Sequence, residues 1–255
     1  MDLSSVFSLH GKVAIVTGGS RGIGYAISDY FAAAGAKVVI CGRNADMVQK
    51  KADKLNQSGY KVTGIPCDVS RLENLLVLVE NTLDLYGQID ILVNNAGISP
   101  TFCNIQDVDT YTFDQLMHVN VKVPYELSRL CFPYLKKSVG GSIINIGAAE
   151  ALQPEPNLGI FGVSKAALIA LTKAFALEWG DYKIRVNAIC PGLTQTSSSD
   201  SLWTNDRILV NRIRKLSIKR MGEDKEIAAM ALFLASTASS YTTGAVLTVD
   251  GGFSI

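Results

Sequence analysis

Seven short runs of β-branched and apolar residues, separated by stretches of helical length, constrain this chain more than any other feature. They are Val13–Thr17, Lys37–Cys41, Lys61–Cys67, Ile89–Asn94, Ser142–Ile146, Arg185–Cys190 and Val246–Val249. Most are continuously apolar rather than alternating, which is the pattern of strands buried on both faces. Gly24–Ala34, Ala45–Ser58, Leu72–Tyr86 and Ser164–Trp179 have the length and composition of helices lying between them. Strands alternating with helices build crossover units and a parallel sheet. The expectation is an α/β fold: one doubly wound domain over residues 1–255, with a seven-stranded, mostly parallel sheet and helices on both faces. At 255 residues and 48% hydrophobic, the chain can fill such a core.

Charge and cysteine usage narrow the partners. A formal net charge of +1 gives no general attraction to nucleic acid or to an anionic membrane. The five cysteines, Cys41, Cys67, Cys103, Cys131 and Cys190, show no C-x-x-C spacing, and His10 and His118 lie far apart, so no metal or redox motif is expected. An odd cysteine count without a framework suits a reducing compartment. Met1 to Lys12 lacks the basic start and apolar run of a signal peptide, and no stretch reads as long and uncharged enough to cross a bilayer. These observations predict a soluble cytoplasmic protein acting on a small molecule, with no nucleic acid and no membrane as partner. The most polar and irregular stretch, residues 194–220, is longer than an ordinary connection and is expected to form a lid over a site.

The first strand runs into Thr17-Gly18-Gly19-Ser20-Arg21-Gly22-Ile23-Gly24 and then a helix. Glycines at 18, 22 and 24 permit a tight turn and let backbone N–H groups approach a pyrophosphate at a helix N-terminus. Alone, such a turn is equally a plain strand-to-helix connection; its place between the first strand and the first helix favours a dinucleotide. The second strand ends in Cys41-Gly42-Arg43-Asn44, without the carboxylate that would bind the ribose hydroxyls of NAD. Arg43 and Arg21 suit a 2′-phosphate, so NADP(H) is the expected cofactor. The bland alternative is two solvated arginines.

Further motifs come in order along the chain. Asn94-Asn95-Ala96-Gly97 ends the fourth strand, Asp68 stands in Cys67-Asp68-Val69, Asn120 in His118-Val119-Asn120-Val121, and Pro191-Gly192 is followed by Thr196. With the glycine turn, these make the chain resemble the short-chain dehydrogenase/reductase family over nearly its whole length. The tail, from Leu202-Trp203 through Tyr241-Thr242-Thr243-Gly244 to Asp250-Gly251-Gly252, is most similar to its NADPH-dependent carbonyl reductases. The resemblance implies a Rossmann domain performing hydride transfer between nicotinamide and a carbonyl or alcohol. It places Gly18, Ser20, Arg21, Gly22, Ile23, Gly24, Arg43, Asp68, Val69, Asn95, Ala96, Gly97, Lys165, Pro191, Gly192, Thr194 and Thr196 at the cofactor, Asp68 on the adenine and Thr196 on the carboxamide. It places Asn120 and Lys165 in the proton relay, with Ala148 and Phe161 where the family has a Ser that polarises the carbonyl and a Tyr that donates the proton.

Phe161 and Lys165 are four residues apart, a spacing that puts two side chains on one helix face. A phenol at 161 would be a proton donor beside a cation; Phe has no proton to give. Both departures, Tyr to Phe and Ser to Ala, remove one oxygen and nothing else. They point to an inactivated form of a working carbonyl reductase, such as one made to hold substrate and NADP(H) together. Two other readings stay open. One is a natural enzyme reducing an imine or iminium ion, or doing non-redox chemistry, with Glu150 as cation stabiliser or base; Glu150 is equally a polar residue at the pocket mouth. The other is a non-catalytic NADP(H)-binding scaffold. Substrate is expected between Ile98–Pro100, Glu150–Leu158 and the stretch from Thr194, where Glu150, Gln153, Glu155 and Asn157 make the far side polar. Trp203 is either a wall for an apolar ligand or an anchor for the lid. Ser164–Trp179 is apolar on more than one face; the family resemblance implies packing against a second copy in a dimer or tetramer, and a helix buried in a monomer has the same pattern.

Overall fold

A computed structural model describes residues 3–99, 102–195 and 206–255. The strands are β1 (Val13–Thr17), β2 (Lys37–Gly42), β3 (Lys61–Pro66), β4 (Ile91–Asn94), β5 (Ser142–Ile146), β6 (Arg185–Pro191) and β7 (Val246–Val249). They form one sheet in the order β3-β2-β1-β4-β5-β6-β7, and every pairing is parallel, so the expected mostly parallel sheet is parallel throughout. The chain winds outward from β1 in one direction and then, through β4, in the other. That reversal opens a crevice beyond the carboxyl ends of β1 and β4.

Period-two alternation explains why both faces are covered. Ala14 and Val16 of β1, Val38 and Ile40 of β2, and Ile91 and Val93 of β4 point into one core. Ile15, Val39, Cys41 and Leu92 from the same strands point into the other. The first core is closed by helices α2 (Gly22–Ala33), α3 (Ala45–Asn56) and α9 (Asp224–Ala235), through residues such as Phe31, Ala52 and Leu234. The second is closed by α4 (Leu72–Tyr86), α6 (Val123–Leu135) and α7 (Gly159–Trp179), with Leu78, Leu127 and Phe175. Truncating a fully buried aromatic such as Phe31 to Ala should cost about 3–5 kcal/mol. The remaining α-helices among the described residues are α1 (Leu3–Val6), α5 (Thr110–Met117) and α8 (Asp206–Lys215).

Several boundaries shift by a residue or two from the sequence expectation, and three differences are informative. β4 begins at Ile91 because Asp90 is used as a plug: its carboxylate accepts from the Val13 amide at 2.8 Å and its amide donates to Val13 O at 2.9 Å. Helix α7 begins at Gly159, five residues before Ser164, so Phe161 lies inside it. The irregular stretch from Thr194 contains α8, a regular helix.

Contrary to the expectation that no stretch could span a bilayer, Gly159–Tyr182 is long and apolar enough to do so by length and composition. Here the helix packs on β5 and β6, burying Leu168, Thr172, Phe175 and Trp179.

Candidate active site

The carboxyl ends of β1, β4, β5 and β6 bring the predicted residues to one edge of the sheet. The glycine turn follows β1. Gly18 and Gly22 have φ of 65° and 50°, values that disfavour any side chain. Gly24 is required for another reason: a Cβ there would lie 2.4 Å from both Gly18 O and Asn95 Nδ2. Asn95 in turn donates to Thr17 O at 2.8 Å, and the Asn95 and Ala96 amides donate to Thr17 Oγ1 at 3.0 Å each. The NNAG segment is thereby bonded to the glycine turn.

The first turn of α2 has no side-chain cap and no acidic residue; its N-cap, Arg21, is extended and exposed. Uncapped N–H groups at such an end favour an anion. Ile23 is partly buried against the core.

The end of β2 lies against this turn, since a Cβ at Gly42 would lie 3.2 Å from Ser20 Oγ. Next in the chain, Arg43 is exposed, and its charge acts on Asp68, just past β3. Burial raises the Asp68 carboxyl, but bonds from the Ser70 hydroxyl and amide, helped by Arg43 and Arg71, bring it below the ordinary range. Val69 packs on the second core. Pro191 ends β6, and Gly192 is forced, because a Cβ there would meet Asp250 Cα at 2.6 Å. Thr194 Oγ1 donates to Gly192 O at 3.0 Å. Thr196, Trp203 and Pro100 lie outside the described residues.

On the other side of the crevice, Asn120 sits in a π-helical turn, His118–Lys122, between α5 and α6. Such turns often mark functional sites. Its oxygen accepts from Ile98 N at 2.9 Å; its nitrogen donates to Ile98 O at 2.9 Å and to Ser164 Oγ at 3.0 Å. Ser164 Oγ donates onward to Phe161 O at 2.7 Å. The Asn120 side chain is therefore engaged in holding the NNAG loop against α7, a use that sequence spacing did not reveal.

Lys165 is buried and donates to Ile146 O at 2.8 Å. Its Nζ is 5.9 Å from the centre of the Phe161 ring, and 3.3 Å from where a Cβ at Gly97 would be. Burial lowers its pKa to about 8, against the opposing pull of Cys190 and Glu150. Ala148 is buried and extended, just past β5. Beneath it Cys190, whose Sγ a Cβ at Gly147 would meet at 2.9 Å, is pushed up to about 11 by burial. It was legible from sequence only as a buried thiol; packed beside Lys165, it stays neutral.

Glu150 is raised above the ordinary carboxylate range by burial, with Arg212 opposing. Arg212 Nη2 donates to Glu150 Oε1 at 3.0 Å and also bonds Glu155 Oε2. No local pattern flags this pairing across 62 residues. Of the other expected polar wall residues, Gln153 and Asn157 are exposed.

With this geometry in view, the comparisons with known proteins are specific. Residues 18–254 match the family described as enoyl-(acyl carrier protein) reductase. The rabbit (Oryctolagus cuniculus) dehydrogenase/reductase SDR family member 4 is 41% identical over 244 residues, 96% of this chain and 94% of that protein. The Pseudomonas aeruginosa RhlG/NADP active-site complex superposes with a TM-score of 0.93 at 33% identity, covering 98% of this chain and 99% of the other. The Burkholderia cenocepacia gluconate 5-dehydrogenase in complex with NADP and tartrate gives 0.93 at 29% identity, with 98% of each chain covered. The protein belongs to the short-chain dehydrogenase/reductase family and has its oxidoreductase scaffold.

Proposed function

We propose that the crevice binds NADP(H), with the pyrophosphate at the start of α2, the 2′-phosphate between Arg21 and Arg43, and the adenine beside Asp68 and Val69. The glycine turn, the uncapped helix end and the lack of a carboxylate from Cys41 to Asn44 at the end of β2 fit that group. So do the NADP complexes of two structurally similar proteins. Asn95, Ala96, Gly97, Lys165, Pro191, Gly192, Thr194 and Thr196 would line the nicotinamide half. Bound there, the reduced nicotinamide supplies hydride for a carbonyl carbon.

The fate of the carbonyl oxygen depends on the chain's own residues. That oxygen acquires negative charge and needs a donor, yet Ala148 and Phe161 offer none. General acid catalysis is worth about 10²–10⁴-fold and one oxyanion donor about 10²–10³-fold, and such losses do not add. The protein as it stands is thus an NADP(H)-binding carbonyl reductase, of the NADPH-dependent branch, with its two proton-handling groups inactivated. The observation that carries this reading is the intact surround: Asn120, Ser164 and Lys165 hold their bonds while the ring beside Lys165 lacks only its hydroxyl. Of the stretch 194–220, the described part from α8 onward would border the substrate.

The experiment restores both oxygens, Ala148→Ser with Phe161→Tyr, and follows NADPH oxidation on a panel of ketones and aldehydes. A gain of at least about 10³-fold is expected; no gain on any carbonyl would overturn the reading.

The iminium alternative needs a free Glu150 to face a cation, and Arg212 already engages that carboxylate. The scaffold alternative predicts tight NADP(H) binding and no turnover after restoration. We also propose self-association along α5 to α7. An open groove of about 490 Å³ there is lined by Met117, Val121, Tyr125 and Leu171 together with Asp114, His118 and Lys122, and Val163 and Leu177 are exposed on α7.

A further inference from the structure

Arg212 plays no part in the chemistry above, yet it reaches the wall of the proposed substrate pocket. It arises from α8, and its partners Glu150 and Glu155 stand two and seven residues past Ala148. Side-chain exposures of 11% for Arg212, 13% for Glu150 and 10% for Glu155 make this a buried triad. Lys215, on the same helix, reaches Glu155 Oε1 at 3.4 Å from a more open position. The Glu150 backbone is itself seated on α7: a Cβ at Gly162, next to Phe161, would lie 2.6 Å from Glu150 O. One arginine therefore ties α8 to the turn that begins at Ala148, one of the two positions that lack a hydroxyl.

Among the described residues, little else holds α8 at that point. Val210 is exposed, Leu209 and Ile213 are only partly covered, and the buried apolar anchor, Leu216, lies just past the helix. Beyond it, the Ser217 and Ile218 amides donate to Gly251 O at 2.9 Å each. The helix is thus fixed at its carboxyl end and tethered before that by charge. Two carboxylates buried together repel; the arginine between them offsets that repulsion, and removing it leaves unpaired buried charge.

We propose that Arg212 is a latch: a positioning residue that docks α8 on the Glu150–Glu155 loop and so sets the substrate-side wall of the pocket. Its effect on turnover rests on the carbonyl-reductase reading, but the docking itself does not.

Hydrogen exchange of the unaltered chain tests the docking. Arg212→Met should speed exchange of the amides from 209 to 215 at least tenfold while leaving β5 and β6 unchanged. Arg212→Lys, without the planar fork, should fall between. The pair Glu150→Gln with Glu155→Gln should loosen α8 in the same way, and serves if Arg212→Met fails to fold. Unchanged exchange at α8 would overturn the latch. In the Ala148→Ser/Phe161→Tyr protein, Arg212→Met should raise KM for the carbonyl about tenfold with KM for NADPH unaltered. A loss in kcat alone, or equal losses for both ligands, would overturn the positioning role. If the restored protein reduces no carbonyl, the proposed function fails while the exchange result still decides the latch.

Discussion

The two sides of the crevice are built from different materials. The side proposed for the cofactor is made chiefly of backbone: positive-φ glycines, an uncapped helix start and a loop bonded to β1. The side proposed for the substrate is made of side chains on α7, on the loop after β5 and on α8. Backbone architecture is fixed by dozens of packing contacts, so a single substitution rarely erases it. Side-chain chemistry hangs on individual atoms, and in the proposed reading two absent oxygens are enough to empty it.

The sharpest test of that contrast puts back one oxygen at a time. Phe161→Tyr alone should recover about 10²–10⁴-fold in kcat/KM for a ketone with NADPH. Ala148→Ser alone should recover far less, because polarisation without a proton leaves the alkoxide unquenched; equal gains from the two would break the assignment of donor and polariser.

The next effect concerns Lys165. Its pKa of about 8 in the folded chain lies below the about 10.4 of an exposed lysine. Between those values the unfolded chain binds more protons, so the burial penalty present at lower pH is relieved as pH rises. Urea-unfolding free energies, taken as the difference between this chain and Lys165→Met, should increase from pH about 8 to about 10.4 by up to roughly 3 kcal/mol. A flat or falling difference would show that Lys165 is not desolvated as described.

Gly24→Ala attacks the backbone side directly. The new methyl would meet Gly18 O and Asn95 Nδ2, and such overpacking costs about 1–3 kcal/mol. Thermal unfolding and NADPH titration should both register it, since the turn must spread; an unchanged midpoint would mean that the turn yields freely.

The smallest effect is at the cofactor's edge. Arg43→Leu should weaken NADPH by about tenfold, the worth of one charge-assisted bond, and leave NADH unaffected. Equal weakening of both dinucleotides would remove the 2′-phosphate from that position.

The sheet was largely legible because β-branched runs report burial on both faces, and the glycine turn because only a few residue types tolerate its geometry. The start of α7 was not, since Leu158 provides no side-chain cap and Gly159 reads as a loop residue. The π-helical turn at Asn120 leaves no compositional trace. Nor does any pattern connect Arg212 with Glu150, because a basic residue on a polar helix looks solvated until the fold buries it. Sequence periodicity sees neighbours along one element; the substrate side is assembled from elements that meet only in three dimensions.

The Thr17 hydroxyl, which donates to Val93 O while accepting the Asn95 and Ala96 amides, has a mechanical consequence. It rivets the two strands where the sheet changes direction, so the glycine turn and the loop after β4 share a single anchor.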